Sequence, residues 1–262
     1  MATSTDTPAT GFRQSGKRTA AEVGVVLVVL LVLFFGGRGC IGWTAAKTVD
    51  FVPATVDEKV GAAGAEQFRA QYAASGEPTE AQVERVRRVF DELRGALTDD
   101  EKAVLVNPRV TVVVDDTPNA FALPGGEVFV LTGLLERVGN DDDMLRGVLA
   151  HELGHAIKRH GMRGLARRAA FGVVIATIVG EVDEMVVTLA AGAGELDRLA
   201  HSRDMESEAD AFGVDLLKRT GHSPEGLARF LESLGSQPVP ELLSTHPEPV
   251  ERAEAIREAA GS

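Results

Sequence analysis

The chain has 262 residues, 44% of them apolar, enough for one substantial core and a small appendage. Its net charge of −12 argues against a nucleic-acid partner, which needs a basic face. The single cysteine, Cys40, excludes an intrachain disulfide and a cysteine-based zinc site, so any metal must be held by histidine and carboxylate.

Residues 1–19 are rich in Thr and Ser, carry Arg13, Lys17 and Arg18, and predict a disordered tail. "AAEVGVVLVVLLVLFFGG" follows at 20–37. Its uninterrupted apolar core falls short of the ~20 residues of a helical span, and Cys40, Ile41 and Trp43 extend it. The basic residues come first, so the positive-inside rule places the N-terminus in the cytoplasm and the remainder outside. The favoured reading is a retained signal anchor over 20–43, which makes a single-pass protein of the cell membrane. A cleaved signal peptide competes but lacks a clean A-x-A-like site. Lipidation at Cys40 fits least, because "GRG" precedes it. Residues 44–54 read as a tether and 55–262 as one domain.

Within that domain, 56–75 predicts a helix. Residues 78–97 predict a stronger one, with Val83, Val86, Phe90, Leu93 and Leu97 at helical spacing and Pro78 in the first turn. The β-branched "RVTVVVDD" at 109–116 predicts a strand. "NAFALPGGEVFVLTGLL" at 119–135 predicts an edge strand, a Pro-Gly-Gly turn and a second strand ending near Leu131. Asp141–Asp143 suit the start of a helix that runs through "MLRGVLAHELGHAIKRH" to near Gly161. The apolar stretch 169–180 is short for a second span and reads as a buried or membrane-facing helix. Helices are predicted at 202–219, 223–234 and 246–260. Strands grouped in the middle with helices on both sides give an α+β fold, mostly helical with a small sheet.

The chemistry concentrates in "HELGH". His151 and His155 are one helical turn apart and share a face, with Glu152 about 100° round from His151. HExxH on a helix is the pattern of a zinc site with its own general base. The apolar flanks Val148, Leu149, Leu153, Ala156 and Ile157 predict a buried helix, and buried histidines need a partner or a metal. Zinc also needs a third protein ligand and an open position. "ESEAD" at 206–210 offers Glu206 as that ligand, with Glu208 second in rank. Asp210 shares Glu206's face and suits a carboxylate that orients a liganding imidazole.

"HELGHAIKRH", then "SRDMESEAD", then "STHPEPVER", with "NAFALPGGEVFVLTGLL" upstream, resembles the HtpX-like and CAAX-prenyl-endopeptidase-like zinc metallopeptidases over about residues 55–260. The short, single-anchor or periplasmic members are the closer likeness. The resemblance implies a zincin-like fold and one zinc ion per chain. It implies His151, His155 and Glu206 as ligands and Glu152 as the catalytic base. It also implies that the strand Asn119, Ala120, Phe121 and Ala122 binds a protein or peptide substrate by strand addition. Glu152 would take a proton from the attacking water and pass it to the leaving amine. His246, at the start of the last helix, reads as an oxyanion stabiliser or fourth ligand. Arg252 reads as an anchor to a carboxylate, His160 and His201 as structural or exposed, and His222 as part of a turn. The rival class is a membrane-anchored, chaperone-like factor using the same cleft with little turnover; an intact Glu152 argues against it.

Overall fold

A computed structural model describes residues 47–168, 202–236 and 246–261. The anchor expected at 20–43, the apolar stretch 169–180 and His201 lie outside these residues. Among the described residues, no helix is long and apolar enough to cross a membrane.

After a 3-10 turn at Val49–Phe51 comes α1, Ala54–Tyr72. Helix α2, Glu80–Gly95, opens with a reciprocal cap. The Thr79 side chain accepts the Gln82 N–H, and the Gln82 side chain accepts the Thr79 N–H. Pro78 therefore precedes the cap and stands outside the first turn. A second Thr-x-x-Glu box, Thr98 with Glu101, starts the short α3, Asp99–Val104, which the sequence analysis did not anticipate. Strands β1 (Arg109–Val113), β2 (Ala120–Ala122) and β3 (Glu127–Leu131) follow, then α4, Thr132–Val138, also unanticipated. Helix α5, Asp142–Ile157, is capped by Asp141, whose carboxylate accepts the Asp143 and Met144 N–H groups at 3.0 Å each. Beyond α5 are α6 (Arg203–Arg219), α7 (Glu225–Ser236) and α8 (Pro249–Gly261).

The sheet order is β1-β3-β2, with β1 parallel and β2 antiparallel to β3. β2 is an edge strand, as expected. β3 is central, and its alternation serves two cores. Val128 and Val130 face the larger core, built with α2, α5, α6, α7 and α8. Phe129 and Leu131 face the smaller one, closed by Ala65 and Phe68 of α1. There Phe68 meets Phe121 and Phe129 edge-on, each at 4.7 Å between ring centroids.

Helix α5 is buried on all sides from Leu145 to Ala156, because it lies between the sheet, α2, α6 and α7. Its expected extension to Gly161 is interrupted. Arg159 adopts a left-handed conformation with φ 56°. Its guanidinium is fixed by the Asp57 carboxylate and by the Val49 and Val52 carbonyls. A new helical run, 160–168, starts after this turn.

Candidate metal and catalytic centre

Two close-packed helices assemble the site. A Cβ on Gly154 of α5 would lie 2.8 Å from the Ala209 carbonyl oxygen of α6, so glycine is what permits this approach. The proximity brings Glu206 and Asp210 of α6 against His151 and His155 of α5. His246, from the segment before α8, completes a buried group in which one ligand atom each of His151, His155, Glu206 and His246 lies within 4.8 Å of the others.

Proton placement decides what this group can do. His151 Nδ1 is 2.9 Å from Asp210 Oδ1, and a carboxylate can only accept, so the proton sits on Nδ1. That leaves Nε2 as the nitrogen that can give its lone pair to a metal. His155 Nε2 faces that nitrogen at 2.9 Å, and Glu206 Oε1 is 3.2 Å from His155 Nε2. Glu206 Oε1 is buried and accepts no hydrogen bond among the described residues. Two imidazole nitrogens and a carboxylate oxygen that converge in a buried site form a pocket for a cation, be it a proton or a metal. Nitrogen ligands about 2.0–2.1 Å from a tetrahedral zinc stand about 3.3 Å apart, close to the spacing seen. The donor set therefore fits zinc.

The surroundings hold these states. Arg252 grips Asp210 with both ends of its guanidinium, at 2.7 and 2.8 Å, and reaches Glu206 Oε2 at 2.5 Å. This is the carboxylate anchor expected of it. Burial opposes ionisation of Asp210, but the Arg252 and His151 hydrogen bonds outweigh it and hold the carboxyl below its ordinary range. Burial also opposes the charge on Glu206, yet the imidazoles of His246, His151 and His155 keep it ionised far below the usual range. Burial disfavours charging His151 as well, but Asp210 and Glu206 raise it to about 9, so with no metal bound the site draws a proton to the place where a metal cation would compete for Nε2. Glu152 behaves in the opposite way. Burial pushes its carboxyl up, only partly offset by His246 and His151. Its carboxyl also accepts the backbone N–H of Ala122. A base with a raised pKa is suited to exchanging protons near neutrality.

Ladder alternation divides the four expected substrate residues. Asn119 turns its carbonyl to the Leu131 N–H and Leu123 turns its N–H to the Glu127 carbonyl, so positions 119, 121 and 123 pair inward with β3. The backbone groups of Ala120 and Ala122 face the open edge. The Phe121 side chain is in the smaller core, away from the cluster. Ala120 instead lines an apolar cavity beside Glu152 and His246, walled by Val148 and by Leu227, Phe230, Leu231 and Leu234.

One residue proves closer to the centre than the sequence analysis stated, and the second-ranked ligand stands behind it. His160 is fully buried, with Nδ1 2.8 Å from His155 Nδ1. Glu208, second choice for the metal, is 3.2 Å from His160 Nε2. Desolvation lowers His160 to about 4, which keeps it neutral. The signal in the sequence was the "RH" immediately after the HExxH helix. His222 does more than shape a turn, since its Nε2 bonds the Glu92 carboxylate of α2.

Residues 80–260 match Peptidase family M48. The chain is 34% identical over 155 residues to the mitochondrial metalloendopeptidase OMA1 of Arabidopsis thaliana, covering 58% of this chain and 31% of that protein. It is 32% identical over 182 residues to the metalloprotease YcaL of Escherichia coli, covering 64% and 67%. It is 31% identical over 165 residues to the beta-barrel assembly-enhancing protease of E. coli, covering 57% and 34%. The matched region thus spans about a third of two of these relatives and two thirds of the other.

Proposed function

The chain belongs to peptidase family M48, and from that premise we propose that it is a zinc-dependent endopeptidase of unfolded or envelope-located proteins, held at the membrane by its N-terminal segment with the catalytic domain on the non-cytoplasmic side. The observation that carries this reading is the convergence of His151 Nε2, His155 Nε2 and Glu206 Oε1 in one buried group, beside the buried Glu152. The relatives named as metalloendopeptidases, and the one named for β-barrel assembly, favour protein substrates in or near membranes.

His151, His155 and Glu206 would hold the metal. A zinc ion bound there would supply the Lewis acidity that makes water nucleophilic near neutral pH and polarises a carbonyl. Glu152 would accept the proton of the attacking water and deliver it to the leaving amine. Asp210, clamped by Arg252, would fix the tautomer and orientation of His151. The outward backbone groups of Ala120 and the Ala122 carbonyl would pair with an extended peptide, the Ala122 N–H being held by Glu152, and this would align the peptide along the cluster. The Leu227–Leu234 wall would receive an apolar side chain of that peptide. These features favour a polypeptide over a small ester or amide.

The test uses the full-length chain in detergent with an unfolded protein. Fragments should appear, cease with a chelator and return with zinc. Equal cleavage with and without the chelator would contradict the proposal.

A further inference from the structure

We propose that Glu208 sets the tautomer of His155 through His160, so that His160 and Glu208 are positioning residues for the metal. The inference rests on the zinc-site reading above. It starts from an asymmetry between the two histidines of the HExxH helix. His151 has a carboxylate directly on its Nδ1. On His155 Nδ1 the described residues place a second imidazole, 2.8 Å away.

Two ring nitrogens at that distance must share one proton, and the choice between them fixes both rings. If the proton sat on His160 Nδ1, the neutral His160 would present a lone pair at Nε2. That lone pair would face the Glu208 carboxylate at 3.2 Å, acceptor against acceptor. It would also leave His155 with its proton on Nε2, where it could not bind a metal. The Glu208 carboxylate removes this alternative. It draws the His160 proton to Nε2, leaves Nδ1 as the acceptor, places the His155 proton on Nδ1 and opens Nε2 toward Glu206.

The carboxylate is itself held, by Arg163 at 3.1 Å. The arrangement joins three segments: α5, the helical run 160–168 and α6. On one continuous helix His160 would stand five positions, roughly 140°, from His155 and would point elsewhere. The left-handed Arg159 brings it back. A fully buried imidazole with both nitrogens committed is built for this contact. Partners of this kind raise ligand basicity and fix ring orientation, and losing them typically costs about 10–100-fold in metal affinity.

The experiment measures zinc affinity of the full-length chain in detergent by chelator competition, with cooperative unfolding of each apo variant followed alongside. His160→Leu fills the space but cannot accept a proton, while His160→Asn offers an acceptor near Nδ1. We expect zinc affinity to fall about 10–100-fold in the leucine variant and to stay within about threefold in the asparagine variant. Equal affinities in the two variants, whether both normal or both weak, would overturn the proposal. Glu208 is half exposed, so its variants test the same point without disturbing the core. Glu208→Lys, which donates to His160 Nε2 and forces the wrong tautomer, should weaken zinc at least tenfold, and Glu208→Gln should do so far less. Glu208→Lys with wild-type affinity would overturn it even if His160→Leu fails to fold. Wild-type protein that binds no zinc would sink the site reading itself, whereas tight zinc in every variant would sink only the relay.

Discussion

His246 Nδ1 lies 3.0 Å from Glu206 Oε2 and 3.4 Å from His151 Nε2, while its Nε2 is 3.9 Å from Glu152 Oε1. A ring so placed is closer to a fourth ligand than to an oxyanion donor standing off from the metal. Catalytic zinc keeps one position open for water, so on the proposed reading a histidine in that corner would hold the enzyme back at rest. His246→Ala should therefore raise basal cleavage of an unfolded substrate while leaving zinc bound. A fall in kcat of about 10²–10³-fold at unchanged KM, the signature of a lost oxyanion donor, would show the opposite role. In the sequence His246 was marked by its place at the start of the last helix after a loop, which left two roles open. The candidate ligand pair and Glu152 were legible because a single helical turn relates them. His160 was not, because its position depends on a left-handed arginine. Arginine seldom adopts that conformation, and here a buried aspartate 102 residues away stabilises it.

At the scale of elements, the site depends on how closely α5 and α6 approach. Gly154→Val would press a branched side chain into the Ala209 backbone, which is already 2.8 Å from where a Cβ would sit. Overpacking of this kind costs about 1–3 kcal/mol. The apo protein should lose about that much stability in chemical denaturation, and its zinc affinity should fall as Glu206 is pushed from the histidine pair. Unchanged stability and affinity would mean that the helix contact does not position the ligands. Helices with a strong apolar period or a clear cap, α2, α5 and α6, were readable in advance. The short α3 and α4 were not, since six or seven residues are too few to show a period. The β2–β3 hairpin announced itself through Pro124, Gly125 and Gly126. The parallel pairing of β1 with β3 did not, because it is decided by long-range packing on both sheet faces.

For the whole molecule, the expectation is a single anchor with the peptidase domain outside the cytoplasm. A reporter fused at the C-terminus should be non-cytoplasmic, and the protein should stay with membranes through an alkaline wash. Soluble protein trimmed near residue 40 would contradict retention of the segment. The central claim concerns chemistry more than place, and one rate tests it most directly: cleavage of an unfolded protein by Glu152→Gln at equal zinc content. The glutamine keeps the shape of the side chain and loses the proton exchange. The account predicts that turnover falls by about 10²–10⁴-fold, the usual contribution of a general base. Cleavage at the wild-type rate would contradict it.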